Sequence, residues 1–117
     1  MKDNIQIVDD NPENLDVMAS MLRSRGYGIR LAINGSLALK SIRKHRPDLV
    51  LLDILMPDMT GYEVCKQLKA DERTRDIPVI FLSALDEVQD KIKAFAIGGE
   101  DYIAKPFQEE EVLARVH

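Results

Sequence analysis

Two patterns of apolar residues alternate along the chain. Short, largely apolar runs, typical of buried strands, are followed by stretches in which apolar residues recur every three or four positions, as in helices. The predicted strands are 5–8, 27–33, 49–52, 78–82 and 102–104, and the predicted helices start near 12, 36, 61, 86 and 108. Five strand–helix repeats predict a doubly wound parallel α/β sheet with helices on both faces and right-handed crossovers.

Capping signals and inward-facing residues define the predicted helices. Asn11 before Pro12 is typical of a helix start, and Thr60 with Glu63 has capping-box spacing. We expect Asn34-Gly35 to form a turn, with Ser36 capping the second helix. The predicted inner faces are Leu15, Met18, Ala19, Leu22; Ala38, Leu39, Ile42; Val64, Cys65, Leu68; Val88, Ile92, Phe95, Ala96; and Val112, Leu113, Val116. The charged stretch 71–76 is predicted to be a surface loop.

Length and charge limit the classes of function. The 117 residues suit one domain, 1–117, whose last helix has only about two turns before His117, so we expect a shortened domain or a piece of a longer protein. The net charge of −4 argues against direct binding of nucleic acid or an anionic membrane. With one cysteine, Cys65, no disulfide can form within the chain. No spanning segment or signal peptide is present, which predicts a cytoplasmic location.

Polar residues follow four of the five predicted strands. Asp9 and Asp10 follow the first strand, Asp53 the third, Ser83 the fourth and Lys105 the fifth. Each has an ordinary explanation as a helix cap or a solvated charge. In parallel α/β sheets, however, ligands bind beyond the carboxyl ends of the strands. Suitable groups on four strand ends therefore favour one shared site.

The chemistry of this set suits phosphoryl transfer with a hard divalent cation. Three clustered carboxylates repel one another, and Mg²⁺ relieves that repulsion with oxygen ligands. No histidine or thiol follows these strands, which argues against zinc. A cation, an ammonium and a hydroxyl suit the oxygens of a transferred phosphoryl group, and a carboxylate can serve as its acceptor. Asp53, on the central strand, is the best candidate for the acceptor.

These residues resemble the receiver domain of two-component response regulators. The resemblance covers the whole chain and rests on Asp9-Asp10, residues 53–61 (DILMPDMTG), Ser83-Ala84 and residues 101–107 (DYIAKPF). It implies a flavodoxin-like fold with strand order 2-1-3-4-5. It also implies that a histidine kinase or phosphotransfer domain donates a phosphoryl group to Asp53, and that the chain turns over no external substrate.

The resemblance also implies a role for each residue. Asp53 is the phosphoacceptor, and Mg²⁺, for which Mn²⁺ could substitute, is held by carboxylates and one backbone carbonyl. Lys105 pairs with the carboxylate and then with the phosphoryl oxygens, which the Ser83 hydroxyl also binds. The metal ligands implied are Asp9, Asp10, Asp53 and the backbone carbonyl of Leu55. Pro106 is expected to follow a cis peptide bond that orients the lysine.

Phosphorylation is expected to change one face of the domain. Tyr102 is interpreted as a switch residue that moves inward as Ser83 is drawn to the phosphate. The helix from Asp86, the strand at Tyr102 and the final helix would then form the surface for an output domain, a downstream protein or a homodimer.

Departures from the family pattern are few. Ser83 replaces a frequent threonine and Gly99 a frequent alanine. Leu55 and Leu85 are two apolar residues at positions that tune the lifetime of the phosphate, and we predict slow self-dephosphorylation.

Three other classes of protein share parts of this pattern. A haloacid-dehalogenase-type phosphatase would need an Asp-x-Asp pair after the first strand, and a cap domain that this length cannot hold. A flavodoxin-like FMN binder would need a Ser/Thr/Gly-rich phosphate loop there, whereas Asp9-Asp10-Asn11 would repel a phosphate. A phosphate-independent pseudo-receiver is disfavoured by the full set of site residues.

Overall fold

The computed structural model describes residues 3–83, 96, 98–99, 101–104 and 109–116. The strands are β1 (Asn4–Val8), β2 (Gly28–Ala32), β3 (Leu49–Asp53), β4 (Val79–Ser83) and β5 (Asp101–Ala104). The helices are α1 (Pro12–Arg23), α2 (Gly35–Lys44), α3 (Gly61–Ala70) and a C-terminal helix (Glu109–Val116). The helix predicted from 86 to 97 lies outside the described residues, apart from Ala96. Within the described ranges, no helix has the length and apolar character needed to cross a membrane.

The strands form one parallel sheet in the order β2-β1-β3-β4-β5, which confirms the predicted flavodoxin-like order. The register brings Val8 of β1 beside Leu52 of β3. Asp53 pairs with Leu82, and Ser83 pairs with Ala104. The carboxyl ends of the four strands β1, β3, β4 and β5 therefore meet at one edge of the sheet.

Helices cover both faces of the sheet, as predicted. On one face, apolar residues of α2 and α3 pack against a strand layer that includes Val50, Leu52 and Phe81. On the other face, α1 and the C-terminal helix pack against a layer that includes Ile7, Leu51 and Ile103. Burying both faces explains why β3 is a continuous apolar run up to Asp53.

The predicted ends and inner faces of the described helices are largely confirmed. The Asn11 side chain caps α1, with Pro12 in the first turn, and the Thr60 hydroxyl accepts a hydrogen bond from the Glu63 amide at 3.2 Å. The inward residues predicted for α1, α2 and α3 are buried, and Val112 is buried in the C-terminal helix. Cys65 is one of them, and burial raises the pKa of its thiol.

The predicted cap of α2, Ser36, is wrong by two residues. The cap is Asn34, whose side chain accepts a hydrogen bond from the Leu37 amide at 2.9 Å, and Gly35 is the first helical residue. Asn34 has an extended backbone, with φ −156° and ψ 173°, so Asn34-Gly35 is a helix entry instead of a turn. The amides of Gly35 and Ser36, left without partners inside the helix, bind a side chain from another loop, described below.

One smaller prediction is also wrong, and the predicted surface loop 71–76 is confirmed with one exception. Ala96 is helical but exposed, which suits a residue of high helix propensity with little apolar surface. The charged stretch 71–76 contains one buried residue, Thr74, whose hydroxyl donates to the Leu68 carbonyl at 2.7 Å. That hydrogen bond satisfies a carbonyl at the end of α3, so the loop folds back onto its helix.

Candidate functional site

Three carboxylates meet at the carboxyl edge of the sheet. Asp53 is the last residue of β3, and Asp9 and Asp10 follow the last residue of the neighbouring strand β1. Each offers a carboxylate oxygen, and these oxygens all lie within 4.8 Å of one another. The parallel register thus brings residues more than 40 positions apart in the sequence into one cluster.

Burial makes the charge of this cluster costly. Asp53 is 4% exposed and Asp9 is 1% exposed, whereas Asp10 is exposed. The Ile54 amide donates to Asp53 Oδ1 at 3.0 Å, which anchors one oxygen of this carboxylate. Like charges this close interact strongly where water is largely excluded. A bound cation, or a ligand that brings one, would offset this repulsion.

Asp9 is held by two donors of the loop and helix that follow it. The Asn11 amide donates to Asp9 Oδ1 at 3.0 Å, and Asn14 Nδ2 donates to Asp9 Oδ2 at 3.3 Å. Such contacts orient a carboxylate that serves as a metal ligand. The sequence interpretation missed Asn14. The available signal was an asparagine in the first turns of a helix, where this residue type is unfavourable unless its amide is used.

The donor set fits a hard divalent cation. The clustered groups are all carboxylates, and Mg²⁺ prefers oxygen ligands while keeping several waters. Leu55, whose backbone carbonyl is the fourth predicted ligand, lies two residues after Asp53, with its side chain 58% exposed. Because Asp10 and Leu55 are exposed, one side of the cluster is open to solvent, which would leave room for the waters of a bound cation.

The β3–α3 loop, residues 54–60, carries another residue that was not predicted, Asp58. Its Oδ1 accepts hydrogen bonds from the amides of Gly35 and Met59, both at 3.0 Å, and its Oδ2 accepts one from Ser36 at 2.9 Å. The amide donors of Ser36 and Gly35 lower the pKa of Asp58 from 3.8 to about 2. A Pro-Asp pair in a loop gives no local sign of this contact with a helix 22 residues earlier in the chain.

The remaining predicted residues differ in how far the structure describes them. The backbone of Ser83 ends β4 beside Ala104, at the same edge as Asp53, and the backbone of Tyr102 pairs with Phe81. Their side chains lie outside what the structure describes, as do Leu85, Lys105 and Pro106. The predicted roles of these residues stay predictions.

A doubly wound parallel sheet with an acidic cluster at its carboxyl edge defines the class of flavodoxin-like α/β domains with a candidate cation site. Within that class, the chain belongs to the response regulator receiver domain family, whose model matches residues 5–117.

Relatives agree with this assignment. The chain is 44% identical over 112 residues to the DNA-binding dual master transcriptional regulator RpaA of Synechocystis, covering 96% of this chain and 46% of RpaA. It is 38% identical over 116 residues to the DNA-binding response regulator MtrA of Mycolicibacterium smegmatis, covering 99% of this chain and 50% of MtrA. The chain thus spans about half the length of the curated relatives it matches.

Solved structures agree as well. A crystal structure of a protein described as a response regulator of Chloroflexus aurantiacus superposes with a TM-score of 0.95 at 35% identity, covering 99% of this chain and 95% of that one. The chain is therefore a receiver domain of two-component signalling. The predicted family and fold are confirmed.

Proposed function

We propose that Asp53 accepts a phosphoryl group from the phosphohistidine of a histidine kinase or phosphotransfer domain. The observation that carries this proposal is the carboxylate cluster, in which oxygens of Asp9, Asp10 and Asp53 lie within 4.8 Å of one another at the carboxyl edge. Asp53 is its central member, at the end of the central strand. Membership in the receiver family supports the same assignment.

The transfer exchanges one bond to phosphorus for another. An Asp53 carboxylate oxygen attacks the phosphorus, the P–N bond breaks, and the imidazole leaves with the electron pair and is protonated by solvent. Mg²⁺, when bound, supplies positive charge to the phosphoryl oxygens. Asp9 and Asp10 hold the cation, and the Ile54 amide orients Asp53 through its 3.0 Å hydrogen bond to Oδ1.

Other groups complete the proposed site. The Leu55 backbone carbonyl is a further ligand, Lys105 pairs with the phosphoryl oxygens, and Ser83 binds them by its hydroxyl. The position of the Ser83 backbone at the end of β4, next to β3, supports its inclusion. Movement of Ser83 and Tyr102 would then transmit the effect of phosphorylation to β5, a strand at the edge of the sheet.

The proposed output is transcriptional. RpaA and MtrA are both named as DNA-binding regulators, and this chain matches about half of each. Because this chain carries a net charge of −4, DNA contact would fall to a separate output domain or partner. The receiver would control that output through the face formed by β5 and the C-terminal helix.

Phosphate incorporation from acetyl phosphate tests the proposal. Intact-mass measurement in Mg²⁺ should show one added phosphate on the wild type and none on Asp53→Asn. Asp16→Asn, an exposed substitution on α1 with the same change of charge, is the matched control and should label like the wild type. Chelation of Mg²⁺ should abolish labelling. Equal labelling of Asp53→Asn and the wild type would contradict the assignment.

A further inference from the structure

The β3–α3 loop has its two ends joined by a hydrogen bond, whereas the residues between them are largely exposed. Ile54 is buried, and the Gly61 amide donates to the Ile54 carbonyl at 2.7 Å, which joins the two ends of the loop. Between them, Leu55, Pro57 and Asp58 are exposed, and Met56 and Met59 are only partly buried. Burial alone therefore does little to fix the backbone of residues 55–59.

Asp58 connects the tip of this loop to α2. Its two oxygens accept hydrogen bonds from the first two amides of that helix, Gly35 at 3.0 Å and Ser36 at 2.9 Å. These amides have no partner inside the helix, and the positive end of the helix dipole favours a carboxylate there. One carboxylate thus joins two elements that are separated by β3 in the chain.

Packing reinforces the same connection. A Cβ atom on Gly35 would collide with Met59 Cγ and would lie 2.8 Å from Met59 Sδ, closer than real Cβ contacts allow. It would also lie 3.0 Å from Val64 Cγ2, which is tighter than most real Cβ contacts. The loop side chain therefore fills the space that a side chain at position 35 would need. The Met59 side chain therefore packs against Gly35, one of the two residues whose amides Asp58 binds.

We propose that Asp58 is a positioning residue for the phosphoacceptor site, holding the loop against α2 so that Asp53 and the Leu55 carbonyl keep their places around the cation. The inference deepens the proposed function and rests on it. Asp58 contacts neither the substrate nor the cation in this scheme. It acts through the backbone of residues 54–57, as supporting contacts do for the ligands of other metal sites.

The test compares Asp58→Ala and Asp58→Asn with Asp71→Asn. Asp71 is a matched control because its carboxylate also accepts a backbone amide hydrogen bond, from Arg73 at 2.9 Å. It lies after α3, at the opposite edge of the sheet from Asp53. Asp58→Asn keeps one acceptor oxygen, and it replaces Asp58→Ala in the measurements if Asp58→Ala does not fold.

Three measurements are made on each protein. Hydrogen exchange of the Gly35 and Ser36 amides, recorded without metal, should speed up in both Asp58 variants and stay unchanged in Asp71→Asn. The Kd for Mg²⁺ should rise about tenfold or more in Asp58→Ala, and the initial rate of labelling by acetyl phosphate at equal Mg²⁺ should fall. Asp71→Asn should change thermal stability without changing the Mg²⁺ affinity.

Two results would overturn the positioning role. One is faster exchange of both amides in Asp58→Ala with wild-type Mg²⁺ affinity and labelling rate, which would make the contact purely structural. The other is an equal loss of Mg²⁺ affinity in Asp71→Asn, which would reflect a general loss of stability. Failure of the proposed function looks different, because Asp53→Asn would then label as the wild type does.

Discussion

Gly61 lies directly against the backbone of Asp53. A Cβ atom on residue 61 would collide with the Asp53 carbonyl oxygen and would lie 3.0 Å from both Asp53 C and Ile54 Cα. All three atoms belong to the main chain, so no side-chain rotation can relieve the overlap. The first residue of α3 must therefore be glycine for the helix to start this close to Asp53.

We expect Gly61→Ala to destabilise the domain and to displace Asp53. Overpacking of a close contact costs roughly 1–3 kcal/mol of unfolding free energy. Because the backbone that yields is that of Asp53 and Ile54, labelling by acetyl phosphate should fall as well. Urea unfolding and intact-mass labelling measure the two effects.

Gly28→Ala is the control for this substitution. A Cβ on Gly28 would meet the side-chain oxygen of Asn4, an exposed residue that can rotate away. The unfolding free energy of Gly28→Ala should stay close to that of the wild type, and acetyl phosphate should label the variant as fully as the wild type. If Gly61→Ala behaves like Gly28→Ala, the contact with Asp53 does not constrain the site.

Mg²⁺ should stabilise the domain through the carboxylate cluster. A ligand that binds only the folded chain adds about 1.4 kcal/mol at about ten times its Kd, or roughly 5 °C in Tm. Asp10→Asn should lose most of this gain. In metal-free buffer the same variant should be at least as stable as the wild type, since it removes one of three repelling charges.

Asp16→Asn controls for the change in net charge. Asp16 is exposed on α1 and is not a member of the cluster. Its Tm should rise with Mg²⁺ as the wild type's does. A Tm gain in Asp10→Asn equal to that of Asp16→Asn would exclude Asp10 as a ligand.

The strands and helix faces were predictable because their signals are local. A continuous apolar run such as 49–52 indicates burial on both faces, and the 3–4 spacing from Leu15 to Leu22 indicates one buried face. The start of α2 was not predictable in this way. Asn34 is compatible with both a turn and a cap, and Asp58, 23 residues away from Gly35, binds the amides that a cap leaves free.

The candidate site was predictable to the extent that parallel topology determines it. Strand ends converge at one edge, so Asp9, Asp10 and Asp53 could be grouped from the sequence alone. Asp58 could not, because it binds amides of α2 that only the folded chain brings near it. Asn14 lies only five residues after Asp9, and its signal was the unusual place of an asparagine in the first turns of a helix. Supporting contacts of this kind depend on side-chain direction and loop path, which apolar spacing does not encode.

Acid should weaken the contribution of Asp58 to stability. The pKa of Asp58 is about 2 in the folded chain, below its ordinary value of 3.8, because the amides of Ser36 and Gly35 bind the ionised form. The unfolded chain therefore binds more protons in this window. The contribution is complete above 3.8 and is lost as the pH falls toward about 2.

Urea unfolding of the wild type and Asp58→Asn across this pH range measures the effect. The wild type should be the more stable protein near neutral pH, and the difference should narrow as the pH falls below 3.8. Taking the difference cancels other carboxylates common to both proteins, including Asp71, whose pKa the Arg73 side chain also lowers. A difference that is constant with pH would mean that the charge of Asp58 is not what stabilises α2.

The hydrogen bond between buried Gln6 and partly buried Ser41 offers a route to a more stable domain. Gln6 is 0% exposed on β1, and its Oε1 accepts a hydrogen bond from the Ser41 hydroxyl of α2 at 2.7 Å. Among the described residues, its Nε2 has no hydrogen-bond partner. An unpaired buried donor costs about 1–3 kcal/mol. Replacing both residues, as Gln6→Met with Ser41→Ala, should therefore leave the unfolding free energy unchanged or raise it by about 1 kcal/mol.

The single variants separate this effect from simple repacking. Ser41→Ala alone should destabilise the domain by about 1–3 kcal/mol, because it leaves the Gln6 amide with neither partner. Gln6→Met in that background should recover the loss, so the two substitutions couple strongly in a double-mutant cycle. If the double variant is less stable than Ser41→Ala, the Gln6 amide contributes through a partner of Nε2, and the cost assigned to that atom is wrong. Labelling by acetyl phosphate should stay at the wild-type level throughout, because both residues lie away from the carboxyl edge that holds Asp53.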